Sequence, residues 1–403
     1  MDILEQLRNG QLKLRDLEKV AGSSEEAARL RRAYLETETG TSLAHTGQFS
    51  FDIDTANTYN VENLIGVTQI PLGITEPLRI NGEYAQGDFR VPLATTEKSL
   101  IAGISRGCKA ITQAGGAETW VRQDKMTRAP LFRVDNQAQA KSLLLWLEGN
   151  FDKLQAEVKA ISSHSGLIEQ ESWIAGRNVF VKFHFSTGDA MGMNMVTRAC
   201  DRIGHLIENS VPGVHYQSVS GNMCIDKKPA AMNLISGRGK TVLAEVVLPA
   251  SVIEKTLKTS ASAMAEVAYR KNLIGSAYAG SLGFNAHFAN VVAALYIATG
   301  QDPAHVVEGS IGFSLMEPVG DNALHASVTM PAIEVATVGG GTRLQTQSEA
   351  LALLGCLGSR DSLGSSARKL AEIVSAAVLA GEISLIAAEA AHHLAEAHKI
   401  TAR

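Results

Sequence analysis

The sequence predicts an α+β fold in three parts, and three changes of pattern along the chain indicate them. Residues 1–48 carry leucines at roughly helical spacing, which is typical of amphipathic helices. From Phe49 onward, short apolar runs are separated by glycine and proline, as in strands joined by turns. Residues 129–219 then alternate helix-like and strand-like segments, so we expect a separate, smaller unit there.

Composition excludes several classes of function. The 403 residues are 45% hydrophobic and 19% charged, with a formal net charge of −4, so the chain offers no overall basic surface for nucleic acid or an anionic membrane. The four cysteines are widely spaced without a CxxC pair, which argues against a disulfide framework or a structural zinc site. With no signal-like apolar start and no run of 18 apolar residues, we expect a cytoplasmic protein without a metal.

The first two parts contain recognisable element starts. SSEEAARLRRAYLE opens with serine and early acids, as a helix does. NLIGVTQIPLGI and PLRINGEY predict strands, and Asn81-Gly82 is typical of a hairpin turn. Together they predict a helical module followed by a sheet.

A helix is expected after these strands. Thr95 and Thr96 are suited to capping it, which would place Glu97 in its first turn. On local grounds alone, the better explanation of Glu97 is the helix dipole, which favours acids at this end. Arg106 and Lys109 follow about one turn apart, so they form a candidate phosphate-binding face.

The segment 129–219 predicts a helix over Ala138–Ala160, a polar linker ISSHSGLIEQES and a strand NVFVKFHFS. A helix entered through a Gly-Asp turn and a further strand, GVHYQSVS, follow. In this context a helix N-terminus can hold pyrophosphate, although a GxGxxG fingerprint is absent. Small residues at Gly188, Ala190 and Gly192 would let a backbone approach a ligand, but helix–sheet packing explains them too.

The loop SGNMCIDKKPAA, residues 220–231, concentrates charge. Asp226, Lys227 and Lys228 are consecutive, and Pro229 then stops any helix. An ammonium on a constrained loop is suited to stabilising oxygen charge that develops during a reaction. A solvated charged turn explains the same residues, so both interpretations remain open.

The last part predicts a helix from about Asn285 that carries His287 and Asn290 on one side and ends just before Asp302. ALHASVTMPAIEVATV then predicts a strand, and an alanine-rich helix ends in His398. A histidine on an apolar helix is more often a core residue than a catalyst. Histidine in a last helical turn is often only a complement to the dipole.

Ten motifs together resemble hydroxymethylglutaryl-CoA (HMG-CoA) reductase. They occur in that family's order between Glu62 and His398, and they are ENLIGVTQIPLGI, VPLATTEKSLIA, SRGCKAI, MTRAP, TGDAMGMNMV, SGNMCIDKKPAAMNLISGRGK, KNLIGSAYAGSLGFNAHFANVV, GQDPA, TVGGGT and EISLIAAEAAHHLAEAH. The ATTE, DAMGMN and DKKPAA segments resemble the class shared by eukaryotes and archaea, and a form without a membrane anchor is expected.

The resemblance implies an architecture and a reaction. Residues 49–128 and 220–403 would form a large domain that binds substrate and CoA. A small ferredoxin-like domain that binds NAD(P), residues 129–219, would be inserted in it, and residues 1–48 would form a helical segment. The family reduces HMG-CoA to mevalonate and CoA with two NAD(P)H, and the reverse oxidation is open. A homodimer or homotetramer with its active site at a subunit interface is implied.

Four catalytic residues are carried over by motif. Lys227 would hold the carbonyl oxygen as it becomes an oxyanion, and Glu97 would donate a proton. Asp302 would join these two side chains in one hydrogen-bonded network. His398 would protonate the departing CoA thiolate, because imidazole titrates near neutrality.

Binding residues are implied in the same way. Those for the hydroxymethylglutaryl group are Arg128, Ser220, Asp226, Lys228, Lys271, His287 and Asn290. Those for CoA are Gly103, Ser105, Arg106 and Lys109. Those for the dinucleotide are Ser163, His164, Asp189, Ala190, Met191, Gly192, Met193, Asn194, Gly339, Gly340 and Arg403.

The identity of the dinucleotide depends on one departure from the family pattern. His164 stands where relatives of this class commonly have a Ser-Arg pair that binds the 2′-phosphate of NADPH. In the C-terminal tail, KITAR, Arg403 is the remaining cation that could bind this phosphate. Because a guanidinium binds phosphate much better than a mostly neutral imidazole, we expect a slight preference for NADH over NADPH.

A second enzyme class stays open. A CoA-dependent acyl transferase or lyase that uses Lys227 as a base or a Schiff-base amine would keep the CoA residues and need no nicotinamide.

Overall fold

The computed structural model describes residues 3–163, 165–358 and 362–391. In these ranges the strands are β1 (Leu72–Ile74), β2 (Leu78–Gly82), β3 (Gln86–Phe89), β4 (Pro92–Ala94), β5 (Ala117–Arg128), β6 (Leu131–Val134), β7 (Gly166–Ala175), β8 (Asn178–Ser186), β9 (Val214–Ser218), β10 (Gly239–Leu248), β11 (Gly283–Phe284), β12 (Gly312–Val319) and β13 (Ala323–Ile333). The α-helices are α1 (Ile3–Arg8), α2 (Ser24–Thr39), α3 (Ile53–Tyr59), α4 (Leu100–Gln113), α5 (Gln137–Gly149), α6 (Phe151–Lys159), α7 (Met193–Ser210), α8 (Ala231–Ser236), α9 (Ala250–Val252), α10 (Ala261–Ala268), α11 (Ser276–Tyr278), α12 (Phe288–Thr299), α13 (Val306–Gly309), α14 (Gln345–Leu353) and α15 (Ser365–Ala390). Single 3₁₀ or π turns lie at Leu14–Lys19, Ile253–Leu257, Tyr269–Gly275, Pro303–His305 and Gly340–Arg343.

Strand β5 belongs to both sheet regions. Most of its length pairs antiparallel with β10, which continues through β13 and β12 to β11. The start of β5 also pairs with β2, which forms a hairpin with β3. The last three residues of β5, Met126 to Arg128, pair instead with β8. One strand therefore joins the two regions directly.

The second region is an antiparallel sheet in the order β9, β6, β8, β7. Alternate residues of β8, including Val181, Phe183 and Phe185, point into a core that α5, α6 and α7 complete. The predicted strand NVFVKFHFS is confirmed as β8, and the predicted helix after the Gly-Asp turn is confirmed as α7.

Two predictions for this region are wrong. The segment GLIEQESWIA is strand β7, not a polar linker. Among the described strands it pairs with β8 alone, at the sheet's edge, where side chains need not be apolar, so its polar pattern gave no strand signal. The predicted helix Ala138–Ala160 is two helices, α5 and α6, because Asn150 leaves the helical conformation at φ −126° and ψ 22°.

The N-terminal helices form a small apolar cluster of their own around Leu7, Leu17 and Leu30. As the opening serines predicted, α2 begins with a cap, since the Ser23 side chain accepts the Glu26 N–H. The predicted Asn81-Gly82 hairpin occurs, although its turn extends to Ala85, whose carbonyl accepts the Gly82 N–H.

Helix α15 is the central element of the larger core. It is long and apolar enough to cross a membrane, but 94% of its most apolar window is buried inside the protein. It packs against α4, α10, α12 and β10. The contact with α4 is very close, because a Cβ added at Gly107 would overlap the backbone carbonyl of Ala380. Glycine at position 107 therefore sets the distance between these two helices.

Gly107→Ala is expected to destabilise the protein by about 1–3 kcal/mol, since α4 and α15 must separate to admit the methyl group. Urea unfolding followed by circular dichroism measures this change. Gly103→Ala is the matched control on the same helix, where an added Cβ meets only the Ser384 hydroxyl at 4.0 Å. That variant should be unchanged or slightly more stable, because alanine favours helix. Equal stability of the two variants would contradict the assigned contact.

Candidate active site

An ion pair between Lys227 and Asp302 lies at the centre of the candidate site. The Lys227 Nζ is 2.7 Å from the Asp302 Oδ2, and the Asp302 Oδ1 accepts the Ala304 N–H at 3.0 Å. Partial burial raises the pKa of Asp302, but the hydrogen bonds from Lys227 and Ala304 outweigh it and lower that pKa overall. The bond to Asp302 raises the pKa of Lys227. Both groups therefore stay charged at neutral pH.

The charged loop has an unusual backbone. Asn222, Ile225 and Lys227 have φ values of 65°, 51° and 57°, in the left-handed region that non-glycine residues avoid. Such conformations persist only where the surroundings hold them, and they concentrate at functional sites. Here the Thr127 hydroxyl donates to the Cys224 carbonyl at 3.2 Å, which ties the loop to the end of β5.

A buried charge cluster lies beneath this loop. Arg238 is fully buried, and its Nη1 contacts Glu334 and lies 3.2 Å from the Glu308 Oε1. Its Nη2 lies 3.2 Å from the Asp226 Oδ1. His305 also links two of these carboxylates, because its Nε2 is 3.3 Å from Asp226 and its Nδ1 is 3.0 Å from Glu334. The cluster thus connects the loop to the turn that follows Asp302.

The cluster shifts the pKa values of its members. Burial raises the pKa of Asp226, but the His305 hydrogen bond and the charge of Arg238 outweigh it, and the pKa falls well below its usual range. Burial lowers the pKa of His305, yet the bond to Asp226 and the charge of Glu334 raise it overall. Burial and the nearby Glu334 raise the pKa of Glu308 to about 7.

None of Arg238, His305, Glu308 and Glu334 is among the residues predicted from the sequence. Arg238 belongs to the GRGK motif just after the charged loop, and His305 follows Asp302 by three residues, so local spacing offered a partial signal. The possible metal-ligand atoms of Asp226, His305, Glu308 and Glu334 all lie within 4.8 Å of one another, as they would in a metal site. Because the Arg238 guanidinium already supplies positive charge there, we assign these residues to an ion-pair network.

A cavity of about 730 Å³ adjoins Asp302. Its lining brings the predicted catalytic Asp302 together with these predicted cofactor residues: Ala190, Met191, Gly192, Met193, Asn194, Gly339 and Gly340. Asn60 and Gln347 also line it and were not predicted. At Gly339 and Gly340, φ is 79° and 55°, and no atom of the described residues lies within 4 Å of an added Cβ, so a side chain there would extend away from them. This shape suits a ligand that lies close to the backbone.

Asp189 has a different environment. Its carboxylate is buried and accepts the N–H groups of Gly364 and Ala367, each at 3.0 Å, at the start of α15. Its backbone carbonyl accepts the Thr337 N–H at 2.9 Å. Asp189 therefore fixes the cofactor segment to α15 and does not line the cavity.

Two of the predicted substrate residues contact Asp226, itself a predicted substrate residue, and a third, Ser220, lies in the same loop. The Arg128 Nη1 lies 3.2 Å from the Asp226 Oδ2, and the Lys228 Nζ donates to the Asp226 carbonyl at 3.0 Å. The Ser220 hydroxyl is 3.4 Å from the Cys224 sulfur within the same loop. These side chains form a mixed polar surface beside Lys227.

The other predicted substrate residues contact or flank α15. Lys271 pairs with Glu389. His287 is the N-cap residue of α12, so that helix begins three residues later than predicted, and Asn290 lies in its first turn. Within the described chain the His287 Nε2 is buried without a hydrogen-bond partner. His287 lines a second cavity of about 460 Å³ with Pro229, next to the charged loop.

Glu97 is not among the described partners of the ion pair. The prediction that it occupies the first turn of α4 is wrong: the helix begins at Leu100, because Ser99 adopts a left-handed φ of 78°. Glu97 is exposed, and its N–H is bonded to the Thr95 hydroxyl. Among the described residues of the chain, no hydrogen bond or ion pair joins Glu97 to Lys227 or Asp302.

The predicted CoA residues lie on α4. The Arg106 Nε donates to the Ser384 hydroxyl at 3.0 Å, so this guanidinium faces α15, whereas Lys109 is exposed. The Ser105 hydroxyl accepts the Glu76 N–H at 3.1 Å, and Gly103 is half-buried. Ser163 is exposed, and three predicted residues lie outside the described residues: His164, His398 and Arg403.

Comparison with known proteins gives one consistent result. A family model described as hydroxymethylglutaryl-coenzyme A reductase matches residues 27–403. The 3-hydroxy-3-methylglutaryl-coenzyme A reductase of Pyrococcus abyssi is 51% identical over 404 residues, covering 100% of this chain and 99% of the relative. The 3-hydroxy-3-methylglutaryl-coenzyme A reductase 2 of Gossypium hirsutum is 45% identical over 402 residues, covering 98% of this chain and 63% of the relative.

Solved structures agree at the level of the fold. The 3-hydroxy-3-methylglutaryl-coenzyme A reductase of Streptococcus pneumoniae matches with a TM-score of 0.67 at 19% identity, covering 94% of this chain and 99% of that one. A second structure, described as the class II enzyme from Streptococcus pneumoniae bound to NADPH in open conformations, matches with a TM-score of 0.64 at the same identity, covering the same shares of both chains.

Arg238→Met is expected to destabilise the protein by about 3–5 kcal/mol, because it leaves buried carboxylates without their cation. The loss of stability should be larger at pH 8 than at pH 5.5, because at the lower pH the unpaired carboxylates are neutralised by protons more readily. Urea unfolding at both pH values measures it. Arg79→Met, which removes an exposed pair with Asp88, is the control and should cost far less stability, because water and salt screen an exposed pair. A similar, pH-independent loss in both variants would contradict this account of the cluster.

Proposed function

Because the chain belongs to the hydroxymethylglutaryl-CoA reductase family, in the class shared by archaea and eukaryotes, we propose that it reduces HMG-CoA to mevalonate and CoA. The family assignment confirms the resemblance found in the motifs. The observation that carries the proposed chemistry is the cavity in which Asp302, paired with Lys227, adjoins the segment 190–195 and Gly339.

The proposed reaction has two reductions. Reduced nicotinamide supplies one hydride to the thioester carbonyl carbon and a second hydride to the aldehyde carbon. After the first hydride the carbonyl oxygen takes a proton, which gives a hemithioacetal. Its C–S bond then breaks as the hydroxyl gives up its proton to re-form the carbonyl, the sulfur takes a proton and leaves as CoA, and mevaldehyde remains. The second hydride and one more proton give mevalonate.

Lys227 is the proposed electrostatic catalyst. The bond to Asp302 raises the pKa of Lys227, so its side chain remains an ammonium at neutral pH. An ammonium held in place can stabilise the negative charge on the reacting oxygen in both reductions. A Schiff-base or general-base mechanism would need a neutral amine, so this raised pKa disfavours the alternative of an acyl transferase or lyase.

Two proton donors complete the proposal. Glu97 would protonate the reacting oxygen and His398 the CoA thiolate. Glu97 is exposed and makes no hydrogen bond or ion pair with Lys227 or Asp302 within the described part of one chain, which supports a site completed by the Glu97 of a second subunit. We therefore propose a homo-oligomer with the active site at a subunit contact.

We propose that residues 129–219 form a ferredoxin-like domain that holds the dinucleotide, inserted in a substrate domain made of residues 49–128 and 220–403. The connection β6-α5-α6-β7-β8-α7-β9 and the strand order β9, β6, β8, β7 support this. Helix α7 begins at the cavity, and among the described residues no side chain caps its N-terminus, so its first N–H groups are available to a pyrophosphate.

The purified protein is expected to oxidise reduced nicotinamide only when HMG-CoA is added. This is followed at the absorbance band of the reduced cofactor. Lys227→Ala should lower kcat by about 10²–10³-fold, because it removes the donor to the developing oxyanion. Lys258→Ala is the matched control, since Lys258 is an exposed lysine that also has a left-handed φ of 62°. Undiminished turnover by the Lys227 variant, or none by the unmodified protein, would refute the proposal.

NADH is expected to have a modest advantage over NADPH in kcat/KM, because His164 replaces a phosphate-binding arginine. His164→Arg should raise kcat/KM for NADPH relative to NADH by about 10-fold or more, through a bidentate contact with the 2′-phosphate. His205→Arg, an exposed histidine on α7, is the control and should not change the ratio. A large NADPH preference in the unmodified protein would contradict the proposed specificity.

A further inference from the structure

We propose that Glu308 is a positioning residue, which holds the backbone of Lys227 in the conformation that directs its ammonium to Asp302. The inference rests on the role proposed above for Lys227. Glu308 is fully buried on α13, and its Oε1 accepts the Lys227 N–H at 2.7 Å. It does not reach the reacting atoms itself.

One short stretch of chain binds both the side-chain ammonium and the backbone N–H of Lys227. Asp302, at the start of the 3₁₀ turn, accepts the Lys227 ammonium, and Glu308, on the helix that follows, accepts its backbone N–H. Lysine disfavours the left-handed backbone found at position 227, where φ is 57°. A hydrogen bond to a charged acceptor is stronger than one to a neutral acceptor, so a carboxylate suits this task.

The surroundings of Glu308 indicate more than structural support. Its second oxygen, Oε2, is buried without a hydrogen-bond partner in the described residues, which is unfavourable for a carboxylate that only fills space. Burial and the nearby Glu334 raise the pKa of Glu308 to about 7, so its charge changes near neutral pH. In the part of the chain that the structure describes, the titratable and charged groups that face it are Lys227, Asp226, Arg238, His305, Glu334 and Tyr296.

The sign of the pH effect follows from this pKa. Above about pH 7 the Glu308 carboxylate is charged and holds the Lys227 N–H strongly. Below that pH it is neutral and holds the N–H more weakly. A neutral glutamine at position 308 imitates the protonated form at every pH, so it differs from glutamate only in the alkaline range.

The experiment compares Glu308→Gln, Glu308→Ala and the unmodified protein by the ratio of their kcat values from pH 6 to 9. The Gln variant should match the unmodified protein within about twofold at pH 6 and fall about 5–10-fold below it at pH 8.5, with little change in KM. The Ala variant should lose about 10-fold or more at all pH values, because misplacement of a catalytic group lowers kcat. Dividing each variant's kcat by that of the unmodified protein at the same pH removes the pH dependence that both proteins share.

Glu372→Gln is the matched control. Glu372 is also fully buried, its pKa is also raised by burial, and it accepts the N–H groups of Tyr84 and Ala85 in the hairpin between β2 and β3. Its substitution should lower stability without a pH-dependent change in kcat. The inference would be overturned if the kcat of Glu308→Gln, divided by that of the unmodified protein, did not vary with pH. The inference would also be overturned if the kcat values of both Glu308 variants equalled that of Glu372→Gln.

Hydrogen exchange separates this inference from the proposed function. The backbone amides of residues 221–231 should exchange faster in Glu308→Ala than in the unmodified protein, and not in Glu372→Gln. If the unmodified protein does not turn over HMG-CoA, the proposed function fails, and the exchange result alone decides whether Glu308 holds the loop. Unchanged amide exchange of these residues in Glu308→Ala would refute the proposal that Glu308 stabilises the loop.

Discussion

The buried guanidinium of Arg238 holds together four segments that are distant in the sequence. It contacts Asp226 in the charged loop, Glu308 after the Asp302 turn and Glu334 directly after β13. Its Nη2 also lies 3.2 Å from the sulfur of Met193 at the start of α7. A buried charge is tolerated only when it is paired, so these segments cannot separate without a large free-energy cost. The geometry of the candidate site depends on this one cation.

The sharing of β5 between two sheet regions explains why the site lies where it does. The last residue of β5, Arg128, contacts Asp226, and the residue before it, Thr127, bonds the loop at Cys224. Because β5 continues from the larger sheet into the smaller one, the loop is anchored at the point where the two regions meet. The cavity that contains Asp302 and the segment 190–195 therefore opens between elements of both regions.

The sequence predicted those helices and strands whose positions depend on the pattern of neighbouring residues. Strand β8 alternates clearly, and α12 is followed by the C-cap residue Gly300, whose φ of 69° favours glycine. Strand β7 could not be predicted in this way, because its stability comes from pairing with β8 rather than from its own pattern. The Arg238 cluster escaped prediction because buried and exposed charges look alike in a sequence. Its contacts join residues far apart in the chain, which only the folded structure brings together.

The charged loop shows how two adjacent lysines can have different tasks. Like charges at such short range disfavour the ammonium unless carboxylates compensate. Lys227 receives that compensation first from Asp302 and then from Asp226 and Glu308, and its pKa rises rather than falls. The left-handed backbone at position 227 turns the chain so that the Lys228 ammonium bonds the carbonyl of Asp226 instead. A conformation that costs about 1–3 kcal/mol thus separates two positive charges and gives each its own acceptor. An ammonium that is stabilised in this way serves as a fixed positive charge, and it is poorly suited to act as a base.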